Sequence, residues 1–260
     1  MKRFAASLAA CALLATAGAA SAGQLIDVAV IDRSTGQRIQ VYQQDGRLYV
    51  PGAPGNRYAV SITNKTSGRV LTVLSVDGIN AVTGDTASTD QAGYVLGPYQ
   101  SFEINGWRKS LNEVAAFYFT QLPDSYAART NRPDNVGVIG VTVFRESVPP
   151  RAAITPAPRA DGAAREADSR TADAAAPSAV PAEPQALRRQ EKIGTGHGER
   201  ERSDVVYTDF RRATSYPAET ITVYYDTRAN LVARGVIPGP TPVVEPNPFP
   251  GGRFVPDPRT

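Results

Sequence analysis

Residues 148–190 hold 14 Ala and 7 Pro and no aromatic side chain. A stretch of that composition cannot bury enough apolar surface to offset its ordering entropy. We read residues 148–193 as a disordered linker, and this divides the fold problem. On one side lie residues 23–147 and on the other residues 194–237, both rich in Val, Ile, Tyr and Thr. The second piece is too short to bury a core of its own without a disulfide or a metal. It is therefore expected to dock on the first piece while the linker loops out. Residues 238–260 carry 8 Pro and read as an extended, polyproline-like tail.

The N-terminus narrows the chemistry. Lys2 and Arg3 precede a largely apolar run, Phe4 to Ala17, and then Ala20-Ser21-Ala22. That order is the pattern of a signal peptide over residues 1–22, cleaved near Ala22, which predicts a periplasmic or secreted protein. Leu8-Ala9-Ala10-Cys11 also fits a lipobox. Lipidation at Cys11 is the lesser reading, because Phe4 to Ala10 is short for the apolar region and the run continues past the cysteine. Cys11 is the only cysteine of the chain. The processed protein then has no disulfide framework, no thiolate nucleophile and no cysteine ligand for zinc. Of 28 Lys+Arg, two leave with the leader, against 25 Asp+Glu. Acids and bases are interspersed, so no basic field exists to attract nucleic acid or an anionic membrane. No later segment reaches the length of a membrane-spanning helix.

Strand signals recur at short intervals. Ile39 to Tyr42 and Arg47 to Val50 flank Asp45-Gly46, the dipeptide of a tight hairpin. Tyr58 to Ile62 alternates, and Val70 to Val76 is apolar on both faces, as a central strand is. Phe102 and Ile104 share one face, Phe117 and Phe119 another, and Ile139, Val141 and Val143 a third. Ser110 to Glu113 matches a helix capping box, yet the short aromatic run after it favours a strand. In the second piece, Thr220 to Tyr225 and Leu231 to Val236 read as a hairpin, preceded by a possible strand at Val205 to Thr208. The predicted class is all-β: an antiparallel β-sandwich or barrel-like domain with a long Ala/Pro-rich insertion and a C-terminal hairpin docking back on it.

Several segments carry a resemblance. They are Ser75 to Asn80, Gly93 to Leu96, Phe102 to Arg108, Ser125 to Arg129, Asn135 to Gly140, Gly194 to Arg200 and Asn230 to Val236. Together they resemble a group of exported, β-rich proteins of Gram-negative bacteria with no assigned activity. The resemblance spans roughly 57–147 and 194–237. It implies an envelope location and no mechanism.

No catalytic or metal-binding motif stands out, and no cofactor is implied. His197, the only histidine, lies in Gly194-Thr195-Gly196-His197-Gly198. This could be an anion-contacting loop, or a flexible return from the linker. A serine triad would need His197 and lacks a nucleophile elbow. Asp77, Asp85, Asp90 and Glu103 could supply a carboxylate pair, although most such residues cap turns. Trp107, Arg108, Tyr94, Tyr99 and Arg129, with His197, form the preferred candidate ligand-binding set, since Trp, Tyr and Arg anchor binding surfaces. The alternative for Trp107 is a plug at the end of the sandwich. The expected function is that of a monomeric, non-catalytic envelope module binding a protein or glycan through loops and an exposed edge. A carboxylate-based periplasmic hydrolase is the alternative.

Overall fold

The computed structural model describes residues 21–147 and 192–239. The expected linker, up to residue 191, and the tail from residue 240 lie outside the described residues, as do the first twenty. In chain order the strands of three or more residues are β1 (Ile26–Asp32), β2 (Tyr42–Gln44), β3 (Arg47–Gly52), β4 (Tyr58–Asn64), β5 (Val70–Val76), β6 (Tyr94–Leu96), β7 (Ser101–Ile104), β8 (Gly106–Arg108), β9 (Glu113–Gln121), β10 (Val138–Arg145), β11 (Ile193–Arg202) and β12 (Glu219–Thr227). Two short helices, α1 (Tyr126–Arg129) and α2 (Arg228–Ala233), follow β9 and β12.

The protein is mostly β, with the strands in three sheets among the described residues. The first contains β1, β4 and β7, the second β8, β9 and β11, and the third β2, β3, β12, β10, β5 and β6. The first two are stitched into one layer. Gly55 N–H donates to the Phe119 carbonyl at 2.7 Å, and Phe119 N–H donates to the Asn56 carbonyl at 3.0 Å. One continuous apolar core draws residues from all three sheets, giving a sandwich-like architecture. The pairing is antiparallel except between β3 and β12, which run parallel with Tyr224 opposite Tyr49.

The first hairpin forms at the expected turn, but its leading arm is Tyr42–Gln44 and not Ile39 to Tyr42, since residues 39–41 lie outside any strand. Asp45 and Gly46 both take positive φ, 51° and 72°, the left-handed pair that a two-residue hairpin turn requires. Asp77-Gly78 repeats it at 53° and 74°. The residues after the false capping box form β9, and Phe117 and Phe119 on it are fully buried. They stack on Tyr58 with ring centroids 5.4 and 4.4 Å away. Burying each such ring stabilises the fold by about 1.5–3 kcal/mol relative to exposing it.

The C-terminal piece docks back on the first, but not as one hairpin. Two strands return to two different sheets: β11 pairs with β9, and β12 enters the third sheet between β10 and β3. The proposed second arm, Leu231 to Val236, is helix α2 and its exit. Local chemistry explains the correction. Thr227 Oγ1 accepts from Asn230 N–H at 3.1 Å as an N-cap. Gly235, with φ of 73°, ends the helix. Val236 N–H bonds the Leu231 carbonyl and Gly235 N–H the Val232 carbonyl, both at 2.9 Å, the double bond pattern of a Schellman stop. Leu231, Val236 and Ile237 then cluster on Tyr49.

Val205 to Thr208 is likewise no strand. It belongs to an irregular strap over residues 203–218 that crosses the outside of the sheets. The strap is tied down by Arg69, whose guanidinium reaches Thr208 Oγ1 and the Asp209 carbonyl, and by Arg212, stacked 4.0 Å over Phe144.

The glycine-rich run at the start of β11 also proves to be strand. A Cβ on Gly196 would lie 2.2 Å from the Tyr118 ring, and one on Gly194 would lie 2.6 Å from the Ser125 Cβ. These glycines are present because neighbouring side chains lie directly against the strand backbone.

Candidate functional site

Two polar regions meet at Tyr225, a residue of β12. Behind it lies a sealed centre. Asp77, in the turn after β5, is buried. Its Oδ1 accepts from the Tyr225 hydroxyl and from Gly137 N–H at 2.9 Å, and its Oδ2 accepts from Thr195 N–H at 2.7 Å. The Thr195 hydroxyl lies 2.8 Å from the Tyr225 hydroxyl and 2.6 Å from that of Tyr58. Tyr58 comes from the first sheet, Thr195 from the second, and Asp77 and Tyr225 from the third, so the network pins all three. With Asp77 ionised, each hydroxyl proton can point one step toward the carboxylate, from Tyr58 to Thr195 to Tyr225 to Asp77. All of them are then satisfied. Burial pushes the Asp77 carboxyl up to about 6, against the hydrogen bonds that pull it down. The same burial, with the Asp77 charge beside them, holds the Tyr58 and Tyr225 phenols well above their ordinary range.

In front of Tyr225 a cleft of about 280 Å³ opens to the surface. One side is a ladder that the parallel register builds. Tyr224 and Tyr49 sit side by side with centroids 5.6 Å apart. Arg47 stacks over Tyr224 at 5.6 Å and Arg234 over Tyr49 at 5.1 Å. Lys192 and the turn Asp134 to Gly137 complete the lining, with Asp226 at one end. Asp226 is committed locally: its Oδ1 accepts from Asn230 Nδ2 at 2.7 Å and from Thr227 N–H at 2.8 Å. Its contact with Arg234 is long, 3.6 Å.

No family model matches the chain, and comparison with curated proteins and with solved structures also returned no match.

The structure distributes the six residues chosen from sequence over several places. Trp107 is a core side chain at 3% exposure. Its Nε1 donates to the Gly196 carbonyl at 3.3 Å, and its ring meets Phe117 edge-on at 5.0 Å. Arg108, next in β8, reaches the Ser203 carbonyl and hydroxyl and the Tyr94 hydroxyl. It therefore ties the strap to the sheet beside a Tyr94 that is itself buried. Tyr99 is 68% exposed in a tight turn at φ of 54°. His197 is half-buried, 5.4 Å from the Tyr126 ring, and Tyr126 in turn lies 4.9 Å from Trp107. Arg129 is exposed at the end of the same short helix as Tyr126. Burial, together with the charges of Lys109, Arg129 and Arg200, depresses the His197 imidazole.

The structure thus brings together Arg108 with Tyr94, and Trp107 with His197 through Tyr126. The cleft residues Arg47, Tyr49, Lys192, Tyr224 and Arg234 were not among those chosen. Their assembly depends on the parallel pairing of β3 with β12, which joins residues about 175 positions apart in sequence. Among the described residues no group of three or more His, Cys, Asp or Glu is placed to hold a metal ion, and no helix is long and apolar enough to cross a membrane.

Proposed function

We propose that this chain is an exported, monomeric interaction module of the Gram-negative envelope, non-catalytic, which binds a protein or glycan through the loops around the cleft. One observation carries the reading. The carboxyl whose pKa is raised, Asp77, is closed off in the core with its acceptor positions filled. The accessible cleft instead offers stacked guanidinium and tyrosine groups. Stacked Arg and Tyr are binding chemistry, whereas a general acid must reach its substrate. The leader pattern and the resemblance noted above support the location.

The test is in-cell crosslinking from a photoreactive residue placed at Asn135, on the cleft lip, followed by mass spectrometry and by sequencing of the mature N-terminus. We expect one reproducible envelope partner and a chain starting near Gly23. Capture of nothing beyond background would overturn the module. Asp134 and Asp226 line the same cleft, which is what favours a carboxylate hydrolase as the second reading. Turnover of a chromogenic glycoside that disappears in Asp134→Asn would replace the first reading with the second.

A further inference from the structure

The charges of the cleft are unevenly matched. Arg47 and Lys192 make no ion pair within 4 Å among the described residues, and neither does Asp134; Arg234 has one long ion pair, with Asp226, and donates to the Tyr49 hydroxyl at 3.4 Å. Arg47 is nonetheless held in place, because its guanidinium lies over the Tyr224 ring. Stacking leaves the edge N–H groups of a guanidinium available, and that edge matches a carboxylate in two-point geometry. Lys192 adds a second donor of positive charge on the lining. Tyr49 is buried at 5% exposure, so Tyr224, half-buried on the lining, supplies the aromatic surface against which the C–H face of a sugar ring can pack.

Asp134 argues against a bare inorganic anion. A free carboxylate on the lining repels phosphate or sulfate, but it accepts hydrogen bonds from hydroxyl groups. The volume argues the same way. About 280 Å³ is more than one small anion fills, and it sits just under the range of ordinary small-molecule pockets.

We propose that the cleft is a subsite for a carboxylate-bearing sugar residue, with Arg47 and Lys192 taking the carboxylate, Tyr224 packing on the ring, and Asp134 taking a hydroxyl. This rests on the binding-module reading and gives it a ligand class: an acidic saccharide, free or as a unit of a glycan.

The test uses the full chain and three probes, D-glucuronate, D-glucose and inorganic phosphate, followed by calorimetry and by amide shifts in the NMR spectrum. We expect glucuronate to shift the Asn135–Val138 and Tyr224–Asp226 amides and to bind at least about tenfold more tightly than glucose or phosphate, a gap of about 1.4 kcal/mol. Arg47→Ala should remove that preference. Asp134→Asn should narrow the gap between glucuronate and phosphate. Lys192→Gln is the second cation variant, should Arg47→Ala disturb the fold. Equal binding of phosphate and glucuronate overturns the proposal, leaving only a nonspecific anion site. So does equal binding of glucose, no binding at all, or binding indifferent to both cation variants. Failure here with a partner still captured in cells would remove the saccharide and leave the module. Failure in cells with glucuronate bound in vitro would do the reverse.

Discussion

The two polar regions that meet at Tyr225 use similar groups in opposite ways. Behind the ring, one carboxylate, three hydroxyls and backbone amides are closed off from water, each with a partner. In front, two cations and a carboxylate stand at the surface without ion-pair partners among the described residues. The difference lies in what each region supports. An unpaired buried polar group is costly, so a sealed network holds only if it is complete. An exposed charge has water as its partner and can be left open to bind something else. The inner region should therefore govern stability, and the outer region should govern recognition.

The sharpest way to break that comparison is to open the wall of the inner region. The Phe119 ring stacks on Tyr58 and sits 5.4 Å from Tyr225. Phe119→Ala should cost about 3–5 kcal/mol, read as a shift of the urea midpoint with an unchanged slope. A loss under about 1 kcal/mol would mean that the network survives without its apolar casing.

Next comes pH. Asp77 titrates at about 6 in the fold against about 3.9 in the unfolded chain. The folded state holds the extra proton in that interval, so this group's contribution to stability is greatest below about 4 and falls as pH rises through about 6. The full swing is about 3 kcal/mol. His197 works against it, since its depressed pKa makes stability rise with pH just below 6.5. Urea unfolding of His197→Gln between pH 4.5 and 7.5 isolates the Asp77 contribution. Stability should decline toward pH 7.5, and it should be flat when Asp77→Asn is added. A profile that rises with pH in the His197→Gln background would show that Asp77 is not the governing group.

Gly196→Ala tests the seam beside the network. The new methyl meets the Tyr118 ring and should cost about 1–3 kcal/mol, with Gly198→Ala the stricter companion, because its methyl meets the backbone carbonyl of Ala116 at 2.8 Å, which cannot swing aside as a side chain can. Equal stability would mean that Tyr118 swings away freely.

What could be read in the sequence follows how local each cause is. The Asp45-Gly46 turn, the two-sided burial of β5 and the buried face of β10 depend on neighbours within a few residues, and each is present. The helix after Thr227 was local too, with its cap and its Gly235 stop. The β-branched and apolar composition of Leu231 to Val236 masked those signals. The place of Asp77 in a turn is legible in Asp77-Gly78, but its burial is not, because its partners Gly137, Thr195 and Tyr225 come from three distant segments. The choice of Trp107 followed side-chain type, and type alone does not separate a ligand platform from a core plug. The cleft escaped for the same reason as the burial of Asp77. No spacing rule connects Arg47 with Tyr224, and only the parallel pairing of β3 and β12 places them together.

The smallest effect on stability is the one that sharpens the comparison most. Arg47 is exposed and makes no ion pair among the described residues. Its stacking on Tyr224 is an exposed cation–π contact, worth about 0.5–1 kcal/mol at most. Arg47→Ala should therefore leave stability within about that margin at every pH tested, and it should leave the slope of the pH profile untouched. If it lowered stability by several kcal/mol or bent that profile, charge in the cleft would be coupled through Tyr225 to the Asp77 network. The two regions would then be one device, in which occupying the cleft changes the protonation of the core.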